Sequence, residues 1–290
     1  MSWGGLKFTK MSAGGNDFVV IDNITSLDDP VRPDAALIRK ICSRALSVGA
    51  DGVIVLEPAR AAQVKMIYHN ADGGRAALCG NGVRCVARMV AVRRWGRPES
   101  MKIETDVGIL EAAVEGETAR FRLPLGTPRC ESRTLILEGS LDECSREIGC
   151  TKVEAGVPHV IVETGDAHGM VQERFLSLAR RVRSHGDFAP DGVNVDYVTV
   201  RGEQSVDIRC FERGVEAETL SSGSGCIAAA IALTRGGRAA SPVTFTSRAG
   251  IKSTVELVEE ADGVTATLSG DARIIYTAVL NREALEGFEA

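Results

Sequence analysis

The chain carries the same device twice. Leu78-Cys79-Gly80-Asn81-Gly82-Val83-Arg84-Cys85 has a partner in Ser221-Ser222-Gly223-Ser224-Gly225-Cys226, and both run straight into a small, apolar, helix-like segment. The second turn follows the first by 143 residues (79 to 222), close to half of the 290. Gly15-Asn16-Asp17-Phe18-Val19-Val20-Ile21-Asp22 answers Gly156-Val157-Pro158-His159-Val160-Ile161-Val162-Glu163 at 141 (15 to 156), Asp51-Gly52-Val53 answers Asp191-Gly192-Val193 at 140 (51 to 191), and Gly108-Ile109 answers Gly250-Ile251 at 142 (108 to 250). Four collinear anchors predict two homologous domains that face one another and bring matching motifs to a shared cleft. A reaction with twofold character is expected there. The first domain is read as residues 1–123, with a C-terminal strand in 274–290 returning to it, and the second as 124–273; the Pro124 to Pro128 segment is the linker between them.

At this length two domains can each bury a core, and 44% hydrophobic residues with few aromatics is ordinary for a globular protein. A formal charge of −5 and a pI near 5.6 give no electrostatic footprint for nucleic acid or an anionic membrane. Met1-Ser2-Trp3-Gly4-Gly5-Leu6-Lys7 lacks the blocks of a signal peptide, and no apolar run reaches bilayer-spanning length, so the expectation is a cytoplasmic protein. In that reducing compartment the eight scattered cysteines (Cys42, Cys79, Cys85, Cys130, Cys144, Cys150, Cys210, Cys226) are expected as free thiols, mostly small buried residues. They form no CxxC pair, and His69, His159, His168 and His185 form no HxxxH-like pair, so no metal is expected. No Rossmann fingerprint or Walker A loop is present, so neither a dinucleotide nor a nucleoside triphosphate is inferred.

Short alternating segments read as half-buried strands: Gly52 to Leu56, Val64 to Tyr68, Met101 to Thr105, Val206 to Phe211 and Val243 to Thr246. Each half also holds two kinds of helix. One begins near Pro33-Asp34 and ends before Gly49, with Gln172 to Arg183 in the equivalent place. The other follows the paired turn, where small residues (Ala87; Ala228, Ala229, Ala230) suit a helix enclosed by sheet. The expected class is therefore α/β (α+β), with two pseudosymmetric domains.

Glycines around Asn81 and Ser224 let backbone amides crowd at a helix start, where unpaired N–H groups and the positive dipole end favour an anion. Two such ends directed at one cleft clamp a carboxylate. Cys79, at or just before one helix start, sits where a thiol's pKa falls, which suits it as a general base beside an α-carbon. A held carboxylate with a base at its α-carbon is what α-proton abstraction and enolate stabilisation require, without pyridoxal phosphate. The competing reading is that a Cys before Gly-x-Gly fills a tight turn and that the duplication left the second copy behind. Tyr68-His69-Asn70 aligns with Phe211-Glu212-Arg213, which places Asn70 and Arg213 at the same cleft. Arg213 is either a fork for a second carboxylate or a surface partner of Glu216. Glu212 and His159 either assist proton transfer or, for His159 beside Pro158, hold structure.

Phe8-Thr9-Lys10-Met11 through Gly15-Asn16-Asp17-Phe18, Asn70-Ala71-Asp72-Gly73, the Cys79 to Cys85 segment, Gly156-Val157-Pro158-His159 and Glu212-Arg213-Gly214 together resemble the diaminopimelate epimerase family over nearly the whole chain. The resemblance implies two pseudosymmetric domains, each a barrel-like, mostly antiparallel sheet around a central helix. It also implies cofactor-independent interconversion of LL- and meso-diaminopimelate in lysine and peptidoglycan-precursor synthesis by a cytoplasmic homodimer. Cys79 matches the first of the family's two catalytic cysteines. Asn16, Asn70, Asn194 and Arg213 match residues that hold the dicarboxylic amino acid, Arg213 at the distal carboxylate. Gly80-Asn81 and Gly223-Ser224 match the two helix-end clamps, and Glu212 matches the acidic residue before the arginine.

Two departures stand out. Where the family has its second catalytic cysteine, the chain reads Thr219-Leu220-Ser221-Ser222-Gly223, and nothing adjacent in sequence supplies a Ser–His activator for Ser222. Cys226, one helical turn beyond, lies about 6 Å further along the axis and is not expected to substitute. Val157 and Gly52 occupy positions where the family often has asparagine and sometimes glutamine, which leaves fewer polar groups around a distal substrate end. Three readings follow: an epimerase using Cys79 and Ser222; a racemase, isomerase or dehydratase working with the single base Cys79; and a catalytically weakened amino-acid-binding homologue.

Overall fold

A computed structural model of the protein describes residues 5–26, 30–137 and 146–287. Cys144, the segment Met1-Ser2-Trp3-Gly4 and the end of the returning strand at 288–290 lie outside the described residues. The chain divides into two units, Met1–Arg122 with Ser269–Ala290, and Leu123–Leu268.

In the first unit β1 (Lys7–Ala13) and β2 (Asn16–Asp22) form a hairpin through Gly14 and Gly15 at φ +55° and +82°, a conformation that favours glycine. There follow α1 (Ala35–Cys42), β3 (Gly52–Glu57), β4 (Val64–Asn70), the short β5 (Arg75–Ala76), α2 (Gly80–Val92), β6 (Met101–Thr105), β7 (Gly108–Glu115) and β8 (Thr118–Pro124). The sheet runs β1–β2–β3–β4–β6–β7–β8; β2–β3 and β4–β6 are parallel, the other pairs antiparallel, and β5 hooks onto β4.

The second unit repeats the plan with β9 (Arg129–Leu137), β10 (Arg146–Ala155), β11 (Val157–Glu163), α3 (Gln172–Arg183), β12 (Asn194–Gly202), β13 (Ser205–Glu212), β14 (Ala217–Thr219), α4 (Gly223–Arg235), β15 (Val243–Ser247), β16 (Lys252–Glu260) and β17 (Gly263–Asp271). Its order is β9–β10–β11–β12–β13–β15–β16, with β11–β12 and β13–β15 parallel. The last strand, β18 (Arg273–Val279), returns to the first unit beside β1, in the place that β9 holds beside β10.

The burial of each element follows from its sequence. The apolar runs Phe18 to Ile21 and Val53 to Leu56 are buried without alternation, as befits strands covered on both faces, whereas β4 alternates. α1 and α3 each bury one stripe: Leu37, Ile38, Ile41 and Cys42 in α1; Phe175, Leu178, Ala179 and Val182 in α3. α2 and α4 are buried nearly all round, and their small residues allow it. A Cβ on Gly82 would come within 2.7 Å of Met66 and 3.2 Å of Ile54. No helix among the described residues is long and apolar enough to cross a membrane.

The first helix is shorter than its flanking Pro and Gly suggest. Asp34 caps it by accepting the Leu37 N–H at 2.8 Å, which leaves Pro33 ahead of the helix, and it stops at Cys42 because Ser43 is extended. Residues 44–48 form a separate turn, with Ala45 at φ +68°, closed by Gly49 N–H donating to Ile41 O at 2.9 Å. Arg44 then leaves the helix line and pairs with Asp17 and Asp51 at 2.7 Å each.

Candidate active site

Cys79 and Ser222 occupy the same backbone position in the two units. Cys79 is the N-cap of α2 at φ −135°, ψ 109°, and Ser222 is the N-cap of α4 at φ −124°, ψ 116°. The amides of Gly80, Asn81 and Gly82, and of Gly223 and Ser224, are first-turn N–H groups without intrahelical partners, and the dipole end adds partial positive charge. Each helix start is therefore suited to hold a carboxylate. The side chains differ: Ser222 Oγ accepts the Gly225 N–H at 3.2 Å, whereas Cys79 makes no cap hydrogen bond.

Behind Cys79 stands Tyr68, which the sequence reading did not single out. Its hydroxyl hydrogen-bonds the Cys79 side chain. Burial first, then charge at Cys79 and Asp51, pushes the phenol far above its ordinary pKa, so it stays a neutral donor able to stabilise a thiolate. Gly52 makes room for this ring, since a Cβ there would sit 2.6 Å from Tyr68 Cε2 and 2.5 Å from His69 O. Asn16 and Asn81 are tied together: Asn81 Nδ2 donates to Asn16 Oδ1 at 2.6 Å, and Asn16 Nδ2 donates to Asp51 Oδ2 at 2.9 Å. The buried Arg84 donates to Asn81 Oδ1, which fixes that carboxamide's orientation.

Around Ser222 the arrangement is different in kind. His159, fully buried on β11, approaches Asp196 Oδ2 at 2.6 Å through Nδ1 and Ser224 Oγ at 3.0 Å through Nε2. Ser224 Oγ in turn lies 3.3 Å from Ser222 Oγ. Asp196 is 1% exposed and lies under the start of α4, where a Cβ on Gly225 would meet its Oδ1 at 2.4 Å. Asn194 Oδ1 accepts the Arg213 N–H at 2.8 Å, and its Nδ2 faces His159 Nε2 at 3.4 Å. The sequence offered His159 as a proton-transfer aid or a structural group; here it is buried, hydrogen-bonded and linked through one hydroxyl to Ser222.

Of the remaining candidates, Asn70 is exposed at the end of β4, Arg213 is half-buried, and Glu212 accepts the Thr219 hydroxyl at 2.6 Å. Glu216 is engaged by Arg183 at 2.8 Å, and the Arg213 guanidinium reaches instead to Asp191 O at 3.4 Å. Strand register revises the repeat. Phe18 lies beside Gly52 and Gly52 opposite Asn70; His159 lies beside Asn194, which falls opposite Glu212, one step beyond the Val195–Phe211 pair. Asn70 is thus answered by Glu212 rather than Arg213, because Ser222 follows Glu212 by ten residues (212 to 222) whereas Cys79 follows Asn70 by nine (70 to 79), so the offset of 143 at the caps is 142 in the strands. Cys226 is buried within α4. Burial raises the thiols of Cys85, Cys130 and Cys210 above their ordinary pKa, that of Cys42 to about 12 and that of Cys150 to about 11. Tyr68 and Asp196 could have been found by alternation, since each lies two residues from a chosen asparagine, Asn70 and Asn194, and shares its strand face.

The family model for diaminopimelate epimerase matches residues 8–130 and 151–275. Curated diaminopimelate epimerases from Archaeoglobus fulgidus and Caldanaerobacter subterraneus are 32% and 34% identical, covering 97% and 93% of this chain and 98% of their own lengths. Among solved structures, a hydroxyproline epimerase from Agrobacterium vitis superposes with a TM-score of 0.69 at 17% identity, covering 97% of this chain and 94% of its own. A Bacillus anthracis phenazine biosynthesis protein of the PhzF family gives 0.67 at 15%, covering 94% and 98%. At such low identity these two structures bear on the fold alone, and they share it. With both halves matched by one family model and by relatives of nearly equal length, the chain is an isomerase and belongs to the diaminopimelate epimerase family.

Proposed function

We propose that the chain interconverts LL- and meso-diaminopimelate by removing the α-proton and returning it on the opposite face, without a cofactor, in lysine and peptidoglycan-precursor synthesis. The observation that carries this reading is the matched pair of N-caps, Cys79 and Ser222, each heading a helix whose first amides suit a carboxylate. Cys79 and Ser222 are the acid and base. The first-turn amides of Gly80, Asn81, Gly223 and Ser224 hold the carboxylate at the reacting carbon, where fixed donors stabilise the enolate-like charge that develops. Asn16, Asn70, Asn194, Glu212 and Arg213 hold the rest of the substrate, with the planar guanidinium of Arg213 suited to the distal carboxylate. The reading includes a cytoplasmic homodimer, which sedimentation at micromolar concentration tests.

The test is proton NMR of LL-diaminopimelate with the protein in D₂O. The α-proton signal should fall as deuterium enters and meso product should accumulate with it. Exchange without meso product would instead favour the single-base isomerase or dehydratase, and no exchange at stoichiometric protein would defeat the reading.

A further inference from the structure

A serine hydroxyl cannot act as a base near neutral pH unless its proton has somewhere to go. The second unit holds such a destination, and the orientation of each group can be worked out. Asn194 Oδ1 is committed to the Arg213 N–H at 2.8 Å, so the face that Asn194 turns to His159 Nε2 is its NH₂ group, a donor. One proton of that NH₂ group faces Pro158 O, also at 3.4 Å, and the other is left to Nε2, so we assign Nε2 as an acceptor. The ring proton then sits on Nδ1 and is donated to Asp196 Oδ2 at 2.6 Å. With Nε2 accepting, Ser224 O–H points at it across 3.0 Å, which leaves Ser224 Oγ free to accept the Ser222 O–H across 3.3 Å. Ser222 Oγ itself accepts the Gly225 N–H at the positive end of α4, which favours negative charge on that oxygen. His159, Asp196 and Ser222 are 0%, 1% and 4% exposed, so bulk water is kept from most of the chain of groups.

We infer that Ser224, His159 and Asp196 form a proton relay that makes Ser222 a competent base in place of a thiol. The inference rests on the epimerase reading and deepens it. In the forward step Ser222 Oγ takes the substrate α-proton while its own hydroxyl proton passes to Ser224 Oγ. The Ser224 proton passes to His159 Nε2. The electron pair of the broken C–H bond stays on the α-carbon, spread into the carboxylate, and the Cys79 thiol delivers its proton to that carbon and is left as thiolate. His159 is then an imidazolium held against the Asp196 carboxylate. The reverse step starts from this state, with Cys79 thiolate as base and the relay running back to reprotonate through Ser222. Ser224, His159 and Asp196 touch no substrate in this scheme through their side chains; they are positioning residues acting through Ser222.

The experiment compares Ser224→Ala and His159→Gln in the native background and in a Ser222→Cys background, reading kcat and KM for LL-diaminopimelate in D₂O. A thiol ionises without the relay, so the two backgrounds should differ. In the serine background Ser224→Ala should lower kcat about 100-fold, the low end for general acid–base catalysis, with KM within about threefold. In the cysteine background the same change should cost less than about tenfold. Ser224→Ala removes one oxygen and keeps the amide, so it reports even if the buried His159→Gln fails to fold. Equal losses in the two backgrounds, or no loss in the serine background, would overturn the relay while leaving the epimerase reading standing. If neither the native protein nor Ser222→Cys exchanges the α-proton, the epimerase reading falls and the relay with it.

Discussion

The starts of α2 and α4 share a backbone and differ in what lies behind it. Row for row across the sheets, Phe18 answers His159, Ile54 answers Asp196 and Tyr68 answers Cys210. Where the second unit backs its N-cap with an imidazole and a carboxylate, the first has two apolar side chains and a single phenol. Under the acid and base roles proposed for the two caps, their chemistry accounts for the difference. A thiol with a pKa of about 8.5 needs only a donor to favour its anion, and Tyr68 is one. A hydroxyl ionises far less readily and needs a base that accepts its proton and a carboxylate that steadies the resulting cation. A duplicated frame thus fixes where the two N-cap side chains stand, while the groups behind them diverge.

The sharpest break in the comparison is Cys79→Ala, which leaves only the serine side. It should lower inversion by about 10³-fold or more, read by proton NMR in D₂O, while the epimer that Ser222 deprotonates still exchanges its α-proton; unchanged inversion would remove Cys79 from the mechanism. Ser222→Ala leaves only the thiol side. Inversion should fall by about 10²–10³-fold while one epimer still exchanges its α-proton through Cys79. If inversion survives undiminished, the two caps are not a working pair.

Tyr68→Phe refines the first unit alone. The phenol is a neutral donor to the Cys79 side chain, and a hydrogen bond to a charged group is worth about 1.5–3 kcal/mol, so its removal should move the pH profile of Cys79 alkylation upward. An unshifted profile would make the phenol a packing group.

The smallest expected effect concerns Asp17, on the carboxylate cluster that anchors β2 and has no counterpart behind Ser222. Burial works to raise this carboxyl, but hydrogen bonds from Arg44 and Lys10 outweigh it and hold the pKa below the ordinary 3.8. A depressed folded-state pKa contributes stability in full above the unfolded value and loses it as pH falls through the folded one. Asp17→Asn should therefore cost about 1 kcal/mol in urea unfolding at pH 7, with the gap to the native protein narrowing below about pH 4. A gap that stays constant with pH would show that the charge is not what matters.

Much of this was readable in the sequence because it depends on local pattern. The collinear repeats give the two-unit plan, and α3 falls on Gln172–Arg183 as its periodicity suggests. The Gly-x-Gly turns locate both helix starts, and with them Cys79 and Ser222. The end of α1 was not readable, because it is set by Arg44 turning away to two carboxylates, one of them 27 residues earlier. Nor was the pairing of Asn70 with Glu212, which strand register decides and residue counting misses.

The sequence by itself determined the fold, the duplication, the family and the two cap residues, since periodicity, turn chemistry and motif spacing act over short stretches of chain. It also made Ser222 look unsupported, for no histidine lies near it along the chain. Only the tertiary structure brought His159 within 3.0 Å of Ser224, a residue 65 positions away, and set Asp196 behind it. The parallel pairing of β11 with β12 lays one strand beside another after a helical crossover, so residues far apart in sequence share one face. That juxtaposition depends on sheet register, and register is settled by the packing of the whole unit.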